Sequence, residues 1–283
     1  MLNGSESAVP GAWHADVVVR RTNIFDDAEA GFTFAVDPAL GLPRAFRAAA
    51  AREMSHSASA DTIRRELVTA NRVAHREGLF EAFGHISVRV PGTSDRFYIA
   101  PRLSPALVTE DVLLTMDLDG HVVEGVGRPN MEFWIHAGIY RARSDVQVVV
   151  HAHPPYCVAL ANVGQTVRPL TITGTLFVDL IPVFREFSLI NTPELGAAVA
   201  GCLGPNRAML LRGHGANTTG ATIPEAIVAA IYLEQEARAQ WHAMAIGQPQ
   251  FLSADELQAT GPVAFDPVSY NRAWQYYLER LNG

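Results

Sequence analysis

The chain carries little that would take it into an oxidising compartment or a membrane. Two cysteines in 283 residues, Cys157 and Cys202, are too few for a disulfide framework, and both lie in apolar stretches where a small buried thiol is the ordinary outcome. No apolar run reaches the roughly 18 to 20 residues that a membrane helix needs. The N-terminus also lacks a basic start followed by an apolar core and a small-residue cleavage site. A cytoplasmic protein with no export and no membrane span is therefore expected. Basic residues are in the minority: the formal net charge of -7 has the wrong sign for displacing counterions from phosphates. A small-molecule substrate is the expected partner, and no nucleic acid. Solenoid repeats and low-complexity tracts are missing as well. Charged residues make up only 18% against 48% hydrophobic, which suits a buried core and not a disordered polyelectrolyte.

Residues 1–60 mix Gly, Ser, Pro and Ala with scattered aromatics and hold no sustained period, so they read as an N-terminal arm with one short helix over 43–54. The main domain is expected over 61–283. Asp61 looks like the N-cap of a helix through Ile63, Leu67, Ala70 and Val73 that stops at Gly78. Strands are expected over 86–90 and 97–100, then a hairpin of 113–117 with 121–124 around Asp119-Gly120. A helix over 131–143, a strand ending at His151, a helix from Pro154, a strand over 176–183 and a helix over 192–203 follow. Strands over 207–211 and 216–218 then meet through Gly213-His214-Gly215, before a long helix over 224–245 with Pro224 in its first turn. The tail, 266–281, spaces Tyr270, Trp274, Tyr277 and Leu281 as a helical stripe suited to core or subunit contact. This order of elements predicts helices layered over a mixed, largely antiparallel sheet.

The chemistry concentrates in Val148-Val149-Val150-His151-Ala152-His153-Pro154. On a strand, residues i and i+2 share a face, so both imidazoles can turn to one cation. A third is available at His214, where flanking glycines allow close backbone approach. Three neutral nitrogens leave a coordination position open, the pattern of catalytic and not structural metal sites. A lone histidine would be read as a hydrogen-bonded core residue; the pair plus His214 reverses that preference. Glu132 is the candidate acid/base, standing at the start of the helix after Pro129-Asn130-Met131. Local sequence alone would favour a carboxylate that merely complements the helix dipole. His136, one turn later, suits either an orienting group or a packed helix histidine.

In this order and spacing, Pro129-Asn130-Met131-Glu132, Ile135-His136-x-x-Ile139-Tyr140, Val149-Val150-His151-Ala152-His153 and Arg212-Gly213-His214-Gly215 resemble the class II aldolase/adducin family over 62–240. The resemblance implies an α/β fold, a three-layer α/β/α sandwich with a mixed, largely antiparallel central sheet. It implies that His151, His153 and His214 hold one divalent ion per subunit (zinc, manganese, iron or cobalt), with Glu132 as acid/base. It further implies a homotetramer with active sites near subunit interfaces.

Sugar-phosphate aldolases of this family cradle phosphate with Gly-Asn-(Ile/Val)-Ser, Thr-Pro-(Ser/Thr)-Gly and Ser-Ser segments. Here those stretches read Gly84-His85-Ile86-Ser87, Ala100-Pro101-Arg102-Leu103 and Asn130-Met131. The donors of a phosphate site are largely gone, and Arg102 offers a planar fork for a carboxylate, though a loop arginine on the surface fits the local sequence too. The segment resembles the branch that decarboxylates hydroxylated aromatic or pyridine dicarboxylic acids. His85 is then a catalytic candidate that orients a carboxylate with Arg102, and Ser87 a substrate-binding one. Competing readings are an aldolase or epimerase on a hydroxy-carbonyl compound, a non-catalytic scaffold of the adducin kind, and an iron-dependent oxygenase on the same fold.

Overall fold

The computed structural model describes residues 59–179 and 181–282; the arm and the helix expected over 43–54 lie outside them. Seven helices are named here in chain order: α1 (Ala60–Arg76), α2 (Phe133–Ala142), α3 (Pro155–Asn162), α4 (Pro193–Leu203), α5 (Ile223–Ile246), α6 (Ala254–Ala264) and α7 (Pro267–Asn282). Eight strands are β1 (His85–Arg89), β2 (Arg96–Ile99), β3 (Leu114–Asp117), β4 (Val122–Glu124), β5 (Val148–Ala152), β6 (Val183–Phe184), β7 (Ala208–Leu211) and β8 (Gly215–Gly220). They form one sheet in the order β4-β3-β2-β1-β5-β8-β7-β6. Every neighbouring pair is antiparallel except β6 with β7. The mixed, largely antiparallel α/β architecture expected from the sequence is thus the one observed.

Period-two alternation divides the layers. From β1 and β5, Ile86, Val88, Val148, Val150 and Ala152 enter a cluster with Leu67, Val73, Ile227 and Leu233 of α1 and α5. Val149, one residue out of phase, joins Phe97, Ile135, Ile139 and Val199 beneath α2 and α4. Burying each such large apolar side chain contributes about 1.5–3 kcal/mol, so both layers are anchored by their own core. Helices α2 and α4 approach through glycine: a Cβ on Gly138 would lie 2.3 Å from the Gly196 carbonyl oxygen. The tail stripe proves to be core, with Tyr270, Trp274 and Tyr277 all buried.

Three boundaries differ from expectation. Ser59, not Asp61, caps α1, its hydroxyl accepting from the Thr62 N–H, because a cap must precede the first helical residue and Asp61 already sits in the first turn. The strand expected over 176–183 shrinks to Val183–Phe184, preceded by a 3-10 turn at Thr173–Leu176. Pro182 has no N–H to give a ladder, and only its carbonyl is used, accepting from Leu210. Helix α6 was not anticipated, although Ser253 and Glu256 form a full capping box at its start.

Candidate active site

Cross-strand register assembles the site. His85 on β1, His151 on β5 and Asn217 on β8 are directly opposed on three adjacent strands. His153 follows two residues after His151, just beyond the end of β5. His214 reaches the same place from the β7–β8 turn, which is tight because Gly213 takes φ +68° and Gly215 lies against β5. A Cβ on Gly215 would stand 2.2 Å from the Ala152 carbonyl oxygen and 3.0 Å from the His153 ring. Glycine on both sides of His214 is therefore a condition of the convergence.

Glu132 occupies the N-cap position of α2 without capping it. Its carboxylate instead accepts from the Ile190 N–H at 3.0 Å, faces His214 Nε2 at 3.3 Å and lies 3.8 Å from His151 Nε2. His151 Nε2 and His153 Nε2 are 3.1 Å apart. One ligand atom from each of Glu132, His151, His153 and His214 falls within 4.8 Å of the other three, and this is the one such cluster among the described residues. Sequence reasoning had put all four together, and the geometry does bring them together.

The donor set fits a divalent ion. His151 Nδ1 contacts the Asn217 side-chain oxygen at 2.7 Å, so Nδ1 carries the proton and Nε2 turns a bare lone pair toward the cluster. Burial holds His151 down to about 3 and also lowers His153, keeping both rings in the neutral form that ligates. For Glu132, burial pushes upward but is outweighed by the His214 hydrogen bond, the nearby imidazoles and the Ile190 N–H, which bring it to about 2. An ionised carboxylate beside the neutral rings of His151 and His153 is a site prepared for a cation.

Beside the cluster opens a cavity of about 360 Å³ lined by Gly84, His85, Arg102, Asn130, Glu132 and His153, with Phe83, Met131 and Leu189 adding apolar wall. Arg102 and His85 thus face the space next to the metal-ligating residues. Ser87 does not: it is fully buried, and its hydroxyl meets His136 Nδ1 at 2.6 Å and the Tyr140 hydroxyl at 2.8 Å. The expectation that Ser87 touches substrate fails because β1 turns it beneath α2, behind His85. Asn217 and Tyr140 were not assigned from sequence, and His136, open there between an orienting group and a packed helix histidine, is buried against His85 and Ser87; register alone brings Asn217 to His151, and no local signal marks it.

The family model described as Class II Aldolase and Adducin N-terminal domain matches residues 65–241. The chain belongs to this family. Among class II aldolase relatives, it is 30% identical over 223 residues to the decarboxylase tropJ of Talaromyces stipitatus, covering 70% of this chain and 80% of that protein. It is also 30% identical over 234 residues to a 3,4-dihydroxyphthalate decarboxylase of Arthrobacter keyseri, covering 77% and 94%. The solved L-fuculose 1-phosphate aldolase from Glaciozyma antarctica PI12 superposes with a TM-score of 0.69 at 25% identity, over 79% of this chain and 91% of that one. Decarboxylases and aldolases thus both occur among its relatives, and the class II aldolase fold is shown. No helix among the described residues is long and apolar enough to cross a membrane.

Proposed function

We propose that this protein is a divalent-metal-dependent carboxy-lyase that removes carbon dioxide from a hydroxylated aromatic carboxylic or dicarboxylic acid. The observation carrying the reading is the placement of the Glu132, His151, His153 and His214 cluster beside a cavity that presents Arg102 and apolar wall, with Ser104 and an Asn130 amide already donating to the Ala100 carbonyl, where a sugar-phosphate enzyme needs a fuller cradle of hydroxyl and amide donors. A guanidinium pairs with a carboxylate through two parallel hydrogen bonds, and Phe83, Met131 and Leu189 suit an aromatic ring. The two decarboxylase relatives support the same class.

His151, His153 and His214 would hold the ion, zinc, manganese, iron or cobalt, with Glu132 within reach as a further ligand. When bound, the ion supplies Lewis acidity, drawing negative charge away from the reacting carbon. Arg102 orients the carboxylate. Glu132, ionised at rest, takes a proton from a ring hydroxyl; the bond to the carboxyl carbon breaks, and its electron pair moves into the ring. Carbon dioxide leaves, Glu132 returns the proton to the vacated carbon, and the phenolate regains one from solvent. Residues 61–283 form the catalytic domain in this reading. A homotetramer with sites near subunit interfaces and a cytoplasmic location complete it; two free thiols are compatible with the latter.

The test is carbon dioxide release by the purified full chain, loaded in turn with each of the four metals, from a panel of ortho-hydroxy aromatic mono- and dicarboxylates, alongside L-fuculose 1-phosphate. Release from the aromatic acids alone is the expected result. Aldol cleavage of the sugar phosphate without carbon dioxide release would favour the second reading, an aldolase or epimerase, which the likeness to the fuculose phosphate enzyme supports. Failure to retain stoichiometric metal would instead favour a scaffold, and oxygen uptake with bound iron an oxygenase.

A further inference from the structure

A continuous hydrogen-bonded chain leaves the cavity and runs into the protein behind it. His85 Nδ1 meets His136 Nε2 at 2.6 Å, His136 Nδ1 meets the Ser87 hydroxyl at 2.6 Å, and Ser87 meets the Tyr140 hydroxyl at 2.8 Å. The chain ends at a backbone carbonyl, that of Gln147, 3.2 Å from the Tyr140 oxygen. His136, Ser87 and Tyr140 are all buried, whereas His85 also borders the cavity. Its second ring nitrogen, Nε2, has no hydrogen-bond partner among the described residues.

The terminal carbonyl fixes the direction of every proton in this chain. A carbonyl only accepts, so Tyr140 spends its single proton on Gln147. Reversing the chain would leave two oxygen lone pairs facing each other at that contact. Tyr140 must then accept from Ser87, and Ser87, its own proton committed, must accept from His136 Nδ1–H. Burial keeps His136 neutral, so it carries one proton, and its Nε2 is a bare acceptor. That acceptor takes Nδ1–H of His85, which in the neutral ring leaves His85 Nε2 as an unprotonated lone pair.

We infer that His85 presents a hydrogen-bond acceptor to the active-site cavity, that Tyr140, Ser87 and His136 are positioning residues that hold it in this tautomer, and that the acceptor selects ligands bearing a hydroxyl at that wall. The inference rests on the proposed hydroxy-aromatic chemistry for the identity of the hydroxyl: a further ring hydroxyl, beyond the one whose proton Glu132 takes. It also changes the part assigned to His85 from sequence. A lone pair repels a carboxylate, so the carboxylate falls to Arg102 alone and the further hydroxyl to His85, which calls for a dihydroxy aromatic acid.

Long-range proton–nitrogen NMR on the full chain with nitrogen-15 histidine tests this, with resonances assigned through His85→Gln and His136→Gln. The expected result is Nδ1–H and bare Nε2 on both rings. In Tyr140→Phe the anchor is gone, the Ser87 proton turns to His136, and His85 is expected to switch to the Nε2–H form three hydrogen bonds away. In the same metal-loaded variant, the preference for catechol over its monomethyl ether, whose methoxy oxygen can only accept at that wall, should shrink about tenfold, as befits one hydrogen bond. A protonated Nε2 on His85 in the native chain, or an unchanged tautomer in Tyr140→Phe, overturns the inference. Should that variant not fold, Ser87→Ala cuts the chain instead: mixed tautomers at His85 support the inference, and a single unchanged one overturns it. None of these readouts requires turnover, so absence of carbon dioxide release would remove the proposed reaction and leave the tautomer result standing.

Discussion

The two faces of strands β1 and β5 differ in what they are for. One face of β1 carries Ile86 and Val88 into the cluster under α1 and α5; the other carries His85, Ser87 and Arg89, all buried and all polar. Strand β5 repeats the division in part, with Val148, Val150 and Ala152 on one side and His151 on the other beside the apolar Val149. The polar face tolerates burial because its groups are partnered: the Arg89 guanidinium donates to the carbonyls of Val146, Ser94, Tyr140 and Arg143, and His151 donates to Asn217. A single-residue alternation thus leaves one face of these strands to cohesion alone and gives the other the chemistry, beside the apolar contacts that Val149 makes beneath α2 and α4. Substitutions on the two faces should therefore fail in different ways, and that is measurable.

The largest effect is expected on the polar face. His153→Ala should retain its circular dichroism spectrum and lose stoichiometric metal on dialysis, with activity falling to background; metal retained at full occupancy would break the division. Glu132→Gln removes the ionised oxygen that exchanges the proton and should lower kcat on the order of 10²–10⁴-fold, with metal content measured in parallel. On the apolar face, Leu210→Ala empties a fully buried position beneath α5 and should cost about 2–5 kcal/mol by denaturant titration, while metal bound per folded protein stays unchanged. A drop in metal stoichiometry in that variant would mean that the faces are coupled after all.

What could be read in advance follows the same line. His151 and His153 announce themselves because a strand periodicity and two ligand-type residues coincide in seven residues, and His214 because glycines on both sides of it signal a tight turn and a close backbone approach. Asn217 could not be placed and Ser87 was expected on the wrong side of His85: Asn217 is one polar residue in a strand of Gly, Ala, Asn and Thr, and its pairing with His151 is a matter of register between strands far apart in sequence. Ser87 shares a face with His85, as period two requires, but which layer covers that face is decided by α2. The strand expected over 176–183 failed on Pro182, whose missing N–H outweighs the surrounding apolar residues. Helix α6 was legible in its Ser253 to Glu256 capping box and was missed because Gly261 and Pro262 interrupt its later half.

Two finer effects sharpen the comparison within the polar face. Asn217→Ala removes the acceptor that fixes the His151 tautomer and should weaken metal affinity about 10- to 100-fold, measured by competition with a chromophoric chelator; unchanged affinity would show that the ring is oriented without it. The smallest effect concerns acid stability. Burial holds His136 neutral in the folded chain down to about 3, whereas in the unfolded chain it takes up a proton near the ordinary histidine value of about 6.5. Between those limits the unfolded state binds the extra proton, so stability falls as pH drops through the window and gains nothing further above it. Each such histidine contributes a slope of about 1.4 kcal/mol per pH unit. In metal-free protein, His136→Gln should flatten the fall of ΔG between pH 6 and 5 by about that amount, and Leu210→Ala should lower the whole curve without changing its slope. If the two variants gave parallel curves, the acid sensitivity would not reside in the buried imidazoles of the polar face.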